Sequence, residues 1–560
     1  MKRQGFLKSS AILVAMTAVT KAMGLIYKIP LANILGGTGM GHFSAAFSVF
    51  TPVLALGVSG ICPAMAKLSA ENSALGRFTD LRRRRKTALA VFTITGLLLC
   101  AAVIGAAYFT DDKSCVRPAI ICLAPSVVFC GVMNAERGYY EGLGNVLPTA
   151  FSEIAETLFR LILGLGLAVY IKDYAEQSYI HNSTVFGMVC NDAVQAEQTA
   201  LPYIAAGAVL GSTIASAIAC IGLILYTAIH GDGITSAMLS ADKVISGRRQ
   251  HAEELLRLSF PIAAAAVVTT LTGMLDMLTL PPFLKTAITR SPQNYSEYIS
   301  AAKGDLPNFL YGSYEGLAVM LYGLVPTVTA MLGKSVIPSL SAAVVEKDSS
   351  ALIRNMRRLL TLTASAAIPC GLGITVMSGE ILGLLFSGRG AECTAAQEPL
   401  MILGISVIGC AVTLPLLTVI QALGKPSEVT LIMLAGAGIK LCMNIILVPL
   451  FGLNGAALSE LIRSISVCTV TLKRISELIP GRIGIAKLCI KPFYAGIMCA
   501  VSAKLFCDTA KKLQLSEKCC AVLGIAGGGI ICITVMALLF EEKLSEIFDI
   551  KYFKTEKNRC

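Results

Sequence analysis

The feature that most constrains this chain is a series of about fourteen apolar stretches, each of roughly 18 or more residues, between Ser9 and Phe540. A helix of roughly 20 residues crosses the hydrocarbon core of a bilayer. Only 15% of the residues are charged, compared with about 25% in soluble domains. The sequence therefore predicts an all-α polytopic membrane protein with about fourteen transmembrane helices.

Hydropathy and charge place the boundaries of these spans to within several residues. The predicted spans are 9–29, 43–66, 87–109, 118–135, 149–171, 201–229, 258–280, 315–343, 359–378, 399–422, 428–450, 454–473, 485–506 and 520–540. An even number of spans puts both termini on the same side of the membrane.

The distribution of basic residues predicts the orientation. Roughly 28 Lys and Arg residues lie outside the spans on the side of the N-terminus, against roughly 10 on the other side, which predicts a multi-pass protein of the plasma membrane with both termini in the cytoplasm. We interpret the densest basic cluster, Arg82 to Lys86, as a contact with anionic lipid that fixes the membrane topology, rather than as a nucleic-acid site. The segment from Lys243 to Arg257 reads as a short surface helix.

Similar sequence features at matching positions in the two halves predict an internal duplication. Gly144 precedes the fifth span and Gly424 precedes the eleventh, and the same spacing leads from each glycine to a cation within a span, Arg160 or Lys440. We interpret the chain as two parallel six-helix repeats around a central cavity, with a C-terminal helix pair added. The predicted parts are repeat 1–229, cytoplasmic linker 230–257, repeat 258–473, additional helices 474–540 and cytoplasmic tail 541–560.

Ionisable groups inside spans are costly, so they mark candidate sites. On the first span, Lys21 is too deep to reach the interface easily and is predicted to face a cavity, whereas Lys28 either faces it or extends to the interface. On the fifth span, Glu153, Glu156 and Arg160 share one helical face, and Glu156 is spaced to pair with Arg160. That pair either lines a cavity or only stabilises helix packing.

The seventh span contains Asp276, which is either the group that couples transport to H⁺ or Na⁺ or a structural partner of Lys21 or Lys334. On the eleventh span, Lys440 is followed one turn later by Asn444, and both are candidate binding residues. Glu460 and Arg463 are spaced for an ion pair within the twelfth helix. The glycines at 36–41 and 371–373 are predicted to serve turns and close packing.

Three segments carry a family resemblance: Tyr27–Leu31 with Leu35–Phe43, Gly142–Arg160, and Lys440–Asn444 with Pro449–Ala456. Together they resemble the stage V sporulation protein B family. That family belongs to the polysaccharide-transporter branch of the multidrug/oligosaccharidyl-lipid/polysaccharide flippase superfamily, which includes MurJ-type lipid II flippases. The resemblance implies a non-enzymatic flippase of a polyprenyl-linked glycan in cell-wall, polysaccharide or spore synthesis.

As polar or ionisable groups inside spans, Lys21, Lys28, Arg160, Lys440 and Asn444 are the expected contacts of the lipid-linked headgroup that the resemblance implies. Glu153, Glu156, Asp276 and Lys334 are the expected ion-coupling or charge-pair residues. No cofactor or metal is expected, apart from H⁺ or Na⁺ as coupling ion. The partners would be an undecaprenyl-linked glycan and membrane lipids, without nucleic acid, and the protein would act as a monomer. The alternatives are a cation-coupled multidrug antiporter and a membrane glycosyltransferase that uses Asp173, Asp192 or Asp305.

Overall fold

The computed structural model of the chain describes residues 6–109, 116–235, 238–239, 247–345, 348–479 and 484–539. The predicted tail, 541–560, and linker residues 240–246 lie outside the described residues. Almost everything described is helical, as the apolar stretches predict, because a helix satisfies every backbone polar group within its own segment.

The elements are numbered here in chain order. They are α1 (Phe6–Val58), α2 (Ile61–Ala74), α3 (Phe78–Phe109), α4 (Arg117–Leu123), α5 (Ser126–Gly142), α6 (Leu147–Asn182), β1 (Thr184–Val185), β2 (Met188–Val189), α7 (Ala193–His230), α8 (Arg248–Arg290), a 3₁₀ helix (Pro292–Tyr298), α9 (Ile299–Ala302), α10 (Leu306–Ser313), a π-helix (Tyr314–Val319), α11 (Met320–Tyr322), α12 (Leu324–Val345), α13 (Ser349–Val376), α14 (Ser378–Leu385), α15 (Gly390–Ala422), α16 (Pro426–Phe451), α17 (Leu453–Leu478), α18 (Ile485–Lys512) and α19 (Glu517–Leu539).

The number of spans agrees with the prediction. Among the described residues, 13 helical stretches are long and apolar enough to cross a membrane. The first of these, Val19–Ala74, has 56 residues, about twice the length that one crossing needs. It is divided at Gly36, whose φ of 63° breaks the helical backbone. This stretch therefore holds the first two spans.

Contacts divide the chain into two compact units, Met1–Gly316 and Leu317–Cys560. Unit 1 holds α1 to α10 and the small β-hairpin, and unit 2 holds α11 to α19. The division by contact thus falls inside the π-helix rather than in the predicted linker. The predicted two-repeat organisation concerns sequence symmetry, and it stays a prediction.

The two glycines that suggested a duplication close their helices in the same way. Gly144 follows α5 with a φ of 78°, and Gly424 follows α15 with a φ of 82°. In both turns the residue after the glycine donates its backbone N–H to the carbonyl five residues earlier, Asn145 to Tyr140 and Lys425 to Ile420. This is the backbone pattern of a Schellman C-cap, where a left-handed residue is best supplied by glycine.

Three predicted boundaries are wrong. The outer loop expected at 172–200 is short, because α6 continues to Asn182 and α7 begins at Ala193. The loop expected at 281–314 is largely helical, since α8 continues to Arg290. The predicted surface helix 243–257 is, from Arg248 onward, the start of α8 itself. Charged and polar residues ended the hydropathy windows, but they did not end the helices.

The first glycine cluster serves close packing, as predicted, apart from the break at Gly36. A Cβ on Gly37 would lie 2.6 Å from the ring of Phe309, and a Cβ on Gly312 would collide with the backbone of Gly37 and Gly41. Residues larger than glycine would therefore separate α1 from α10. In the second cluster, Gly371 packs in the same way against the Gly404 carbonyl.

The basic cluster Arg82–Lys86 is not a free lipid anchor. Three of its arginines form ion pairs with carboxylates of the same unit: Arg82 with Asp232 (2.7 Å), Arg84 with Glu254 (2.8 Å) and Arg85 with Glu136 (2.6 Å). Only Arg83 and Lys86 of the five are exposed. The paired arginines hold α3 against the neighbouring elements, and the topology-anchor role of the cluster stays a prediction.

Candidate functional site

A buried polar cluster lies between α5, α6 and α7 of unit 1. The Glu156 carboxylate accepts hydrogen bonds from Arg160 (2.8 Å), from Ser216 (3.1 Å) and from Arg137 (3.3 Å). Arg137 also donates from Nε to the Ser152 hydroxyl at 2.7 Å. We call these five residues the Glu156 cluster. Its one carboxylate is shared by two guanidinium groups, so the cluster carries a surplus positive charge.

The two arginines of the cluster differ in accessibility. The Arg137 side chain is buried, with 9% of its surface exposed, whereas 35% of the Arg160 side chain is exposed. Within the described part of the chain, Nε of Arg160 has no hydrogen-bond acceptor. Arg160 therefore combines a partly exposed side chain, which an anion could approach, with a buried donor that no acceptor among the described residues satisfies.

Local sequence explains how α6 presents this face. The helix starts directly after the Gly144 turn, with a proline in its first turn, and then repeats ionisable residues at helical spacing. Glu153 lies on the same face and is half-buried. Its charge acts on Glu141 of α5, whose carboxylate accepts a hydrogen bond from the Cys62 thiol at 3.5 Å.

Both candidate lysines of the first span are exposed on α1. The charged groups that act on Lys28 are Glu315, Lys21 and Arg160. Lys28 thus lies within electrostatic range of two other predicted substrate contacts of unit 1, Lys21 and Arg160. The charge of Glu315 opposes them.

Asp276 is buried in α8, with 2% of its surface exposed. Its charge and that of Glu315 both act on the buried phenol of Tyr311 in α10. Unit 1 therefore brings a carboxylate of the seventh span near one that begins the eighth. The side chain of Lys334, the other charge-pair candidate, lies outside the described residues.

Unit 2 holds a second buried cluster, built around Glu460 of α17. Lys440 of α16 lies 3.0 Å from its carboxylate, Tyr322 donates to it at 2.7 Å, and Nε of Arg463 donates at 2.9 Å. The predicted pair of Glu460 with Arg463 is present, and Lys440 joins it from the neighbouring helix. We call these four residues the Glu460 cluster. Asn444 is fully buried one turn after Lys440.

The two clusters share one arrangement, a carboxylate between two cationic side chains, but they differ in exposure. Lys440, Glu460 and Arg463 are all at least nine-tenths buried, and the carboxylate is satisfied by three donors from three elements. Unit 1 instead leaves Arg160 partly exposed. An incoming anion would therefore meet less competition at Arg160 than at Lys440.

Sequence reasoning missed Arg137, Glu141, Glu315 and Tyr322. The predicted fourth span ended at residue 135, but α5 continues to Gly142 and places Arg137 and Glu141 on a helix. Their i, i+4 spacing was the available signal. Glu315 stands at the first residue of a predicted span, and its π-helical segment, a geometry often found at functional sites, is not readable from sequence.

Two of the three acids proposed as glycosyltransferase residues cap helices. Asp192 caps α7 by accepting from the Gln195 backbone N–H at 2.6 Å, and Asp305 caps α10 by accepting from Asn308 at 3.2 Å. Asp173 is an exposed residue of α6. Capping accounts for two of the three without any catalytic role.

Comparison with known proteins agrees with this architecture. Residues 6–191 match the family described as polysaccharide biosynthesis protein, and residues 315–514 match the family described as lipid II flippase MurJ. Stage V sporulation protein B of Bacillus subtilis (strain 168) is 23% identical over 540 residues, which cover 94% of this chain and 93% of that protein.

Solved structures show the same fold. A lipid II flippase MurJ in an inward closed conformation aligns with a TM-score of 0.66 at 13% identity, covering 95% of this chain and 99% of the other. An inward-facing multidrug resistance MATE family transporter of the MOP superfamily aligns with a TM-score of 0.56 at 13% identity, covering 84% and 98%. Both likenesses concern the fold alone.

The all-helical architecture, the two family matches and the nearly full-length relative converge on one assignment, and it is a family of transporters rather than of enzymes. In sequence the chain is similar to the polysaccharide biosynthesis family over residues 6–191, to the MurJ family over residues 315–514 and to stage V sporulation protein B over most of its length, and it shares its fold with MurJ and MATE transporters.

Proposed function

We propose that the protein translocates a polyprenyl-linked glycan, such as a lipid II-like peptidoglycan precursor or a polysaccharide repeat unit, across the plasma membrane by alternating access. A sugar diphosphate cannot cross hydrocarbon unaided, so a carrier must supply counter-charge inside the membrane. The observation that supports this most is the Glu156 cluster, which keeps a partly exposed Arg160 beside a carboxylate already shared with Arg137. The descriptions of the two matching families concern polysaccharide biosynthesis and lipid II flipping.

Lys21, Lys28 and Arg160 are the proposed diphosphate contacts of unit 1. Lys28 and Arg160 act electrostatically on each other, so a polyanionic headgroup bound near both would relieve their repulsion. Lys440 and Asn444 are the proposed contacts of unit 2. An anion that reaches Lys440 competes with Glu460, so we place the primary contact in unit 1.

Asp276 is proposed to couple transport to H⁺ or Na⁺. It is a buried carboxylate, and a cation that binds there offsets the cost of burying its charge. Glu460 is a poor alternative, because Lys440, Arg463 and Tyr322 already occupy it. Asp276→Asn should remove the Na⁺ or pH dependence of flipping in proteoliposomes and leave lipid binding intact. Unchanged ion dependence would make Asp276 a structural residue.

A cation-coupled drug antiporter remains the second candidate, since the MATE transporters share the fold. A cationic drug would meet Lys21, Lys28 and Arg160 in unit 1, which repel it. Those residues therefore favour the anionic lipid-linked substrate.

The decisive experiment measures binding and flipping of lipid II and of other undecaprenyl-linked diphosphate glycans by the purified protein. Arg160→Gln should weaken binding about tenfold to hundredfold, since a charge-assisted contact contributes roughly 1.5–3 kcal/mol. Arg137 still pairs with Glu156 in this variant, so no buried acid is left without a cation. The double variant with Lys440→Gln removes the proposed cations of both units and so tests them together.

The matched control is Lys172→Gln, which makes the same charge change on the same helix. Lys172 is exposed and pairs weakly with Glu176 at 3.8 Å, so binding should stay at the wild-type value. Binding within twofold of wild type by a stable Arg160→Gln, Lys440→Gln variant would refute the cationic site.

A further inference from the structure

Helices α6 and α7 extend well beyond the bilayer on the side where they meet. The apolar part of α6 ends near Ile171, but the helix continues to Asn182, a further 16 Å or so at about 1.5 Å per residue. The headgroup layer adds only about 5–8 Å on each side of the hydrocarbon. Lys172, Asp173 and Glu176 keep this extension out of the hydrocarbon. The end of the hairpin therefore stands clear of lipid.

Residues 178–194 form this end, which we call the outer tip. Strands β1 and β2 pair antiparallel, with Thr184 opposite Val189. The turn between them consists of Phe186 and Gly187, with φ values of 49° and 82°, the backbone of a tight type I′ hairpin. The Phe186 ring packs 4.5 Å from the ring of Tyr203 and so fixes the hairpin on α7.

Hydrogen bonds also hold the outer tip in place. The Ser178 hydroxyl donates to the Thr184 carbonyl at 2.8 Å, and the Cys190 N–H donates to the Ser183 carbonyl at 2.9 Å. The Asp192 cap then starts α7. A tip ordered in this way can bind a partner without paying a large ordering entropy.

The outer tip exposes large apolar side chains to water. Ile180 is 75% exposed, Val189 70%, Met188 53% and Val194 49%. Elsewhere on a membrane protein such residues face lipid, whereas the helix lengths above place the outer tip beyond the headgroup layer. Clusters of exposed apolar residues in water mark sites of protein association.

The charge around the outer tip narrows the choice of partner. Asp173, Glu176 and Asp192 are exposed there, and Lys172 is the nearby cation on α6. The outer tip, with Asp192, and the adjacent part of α6 are therefore acidic on a chain whose formal net charge is +12. A complementary surface has an apolar socket and a basic rim.

We propose that the outer tip docks a protein that consumes the translocated glycan, through an apolar socket with a basic rim. This inference rests on the proposed function. A diphosphate-linked glycan is a glycosyl donor, so the consuming reaction is glycosyl transfer. An acceptor hydroxyl bonds to the anomeric carbon and loses its proton to a base, while the bond from that carbon to the diphosphate oxygen breaks and polyprenyl diphosphate leaves.

The test is the variant Met188→Glu, Val189→Glu, with Gln177→Glu as a matched control that adds acidic charge to exposed α6 away from the apolar side chains. Flipping by purified protein in proteoliposomes should equal wild type for both. In cells that depend on this protein, the docking variant should accumulate lipid-linked glycan in the outer leaflet at least threefold, measured with a membrane-impermeant reagent that labels the glycan.

Wild-type levels of outer-leaflet glycan in the docking variant would overturn the inference. Loss of flipping in proteoliposomes would also overturn it, because the tip would then act in transport itself. A Val189→Cys variant that cross-links mainly to a second copy of the chain would show self-association instead. If the wild type flips no lipid-linked glycan in proteoliposomes, the proposed function fails, and the docking inference fails with it.

Discussion

Removing the carboxylate of the Glu460 cluster should cost more stability than any exposed ion pair of unit 2. Lys440 lies 3.0 Å from that carboxylate, and both side chains are 6% exposed. In Glu460→Gln, Lys440 and Arg463 would remain buried without their counter-charge. Breaking a buried pair from one side costs about 3–5 kcal/mol, because desolvation of the remaining charge is no longer compensated.

The free energy of unfolding is measured by denaturant titration in detergent micelles. The matched control is Glu477→Gln on the same helix, where Glu477 pairs with Arg474 and its side chain is 47% exposed. That change should cost at most about 1 kcal/mol. Adding Lys440→Met to Glu460→Gln should recover part of the loss, since one of the two stranded cations is gone.

Equal stability of Glu460→Gln and Glu477→Gln would refute the reasoning. It would mean that water or another acid compensates Lys440 and Arg463, and the contrast drawn between the two clusters would disappear. A double variant no more stable than Glu460→Gln alone would show that Lys440 does not depend on this carboxylate.

Three further predictions concern other parts of the fold. Burial alone would raise the pKa of Asp232, but hydrogen bonds from Arg82, the Ile234 N–H and Tyr139 lower it to about 2. The ionised carboxylate therefore contributes up to about 2.5 kcal/mol of stability above about pH 5, and this contribution is lost as the pH falls towards 2. The stability difference between wild type and Asp232→Asn should shrink over that range, and a constant difference would contradict this prediction. Glu380 binds Lys504 and Lys511 at 3.0 Å each, so Glu380→Gln should increase hydrogen exchange in α18, and exchange at the wild-type rate would show that apolar packing alone holds this helix. Gly312→Leu should lower the free energy of unfolding by about 1–3 kcal/mol or more, because any Cβ there collides with α1, whereas Gly373→Leu, at an open position, should change it little.

Much of the architecture follows from hydropathy alone. Each apolar stretch needs a helix to satisfy its backbone in lipid, so fourteen spans are readable from the residues. Boundaries were less readable, because α6 and α8 continue through charged residues such as Lys172 and Lys285. Hydropathy reports the lipid environment of a residue, whereas hydrogen bonding decides where its helix ends.

The site was predictable as far as it lies on single helices. Glu156 with Arg160 and Glu460 with Arg463 follow from spacing along one helix, and both pairs are present. Periodicity within a helix contains no information about its neighbours. The contacts of Arg137 and Lys440 with these carboxylates therefore appeared only in the structure.

The sequence by itself determined that this is a helical membrane protein with ionisable groups inside its spans, because the cost of burying polar groups in hydrocarbon leaves few other outcomes. Tertiary structure decided which of those groups neutralise one another. It paired Lys440 deeply with Glu460, left Arg160 partly exposed, and paired three arginines of the Arg82–Lys86 cluster with carboxylates of neighbouring elements. The physical reason is that a charge is governed by every group within a few ångströms, and those neighbours come from helices distant in sequence.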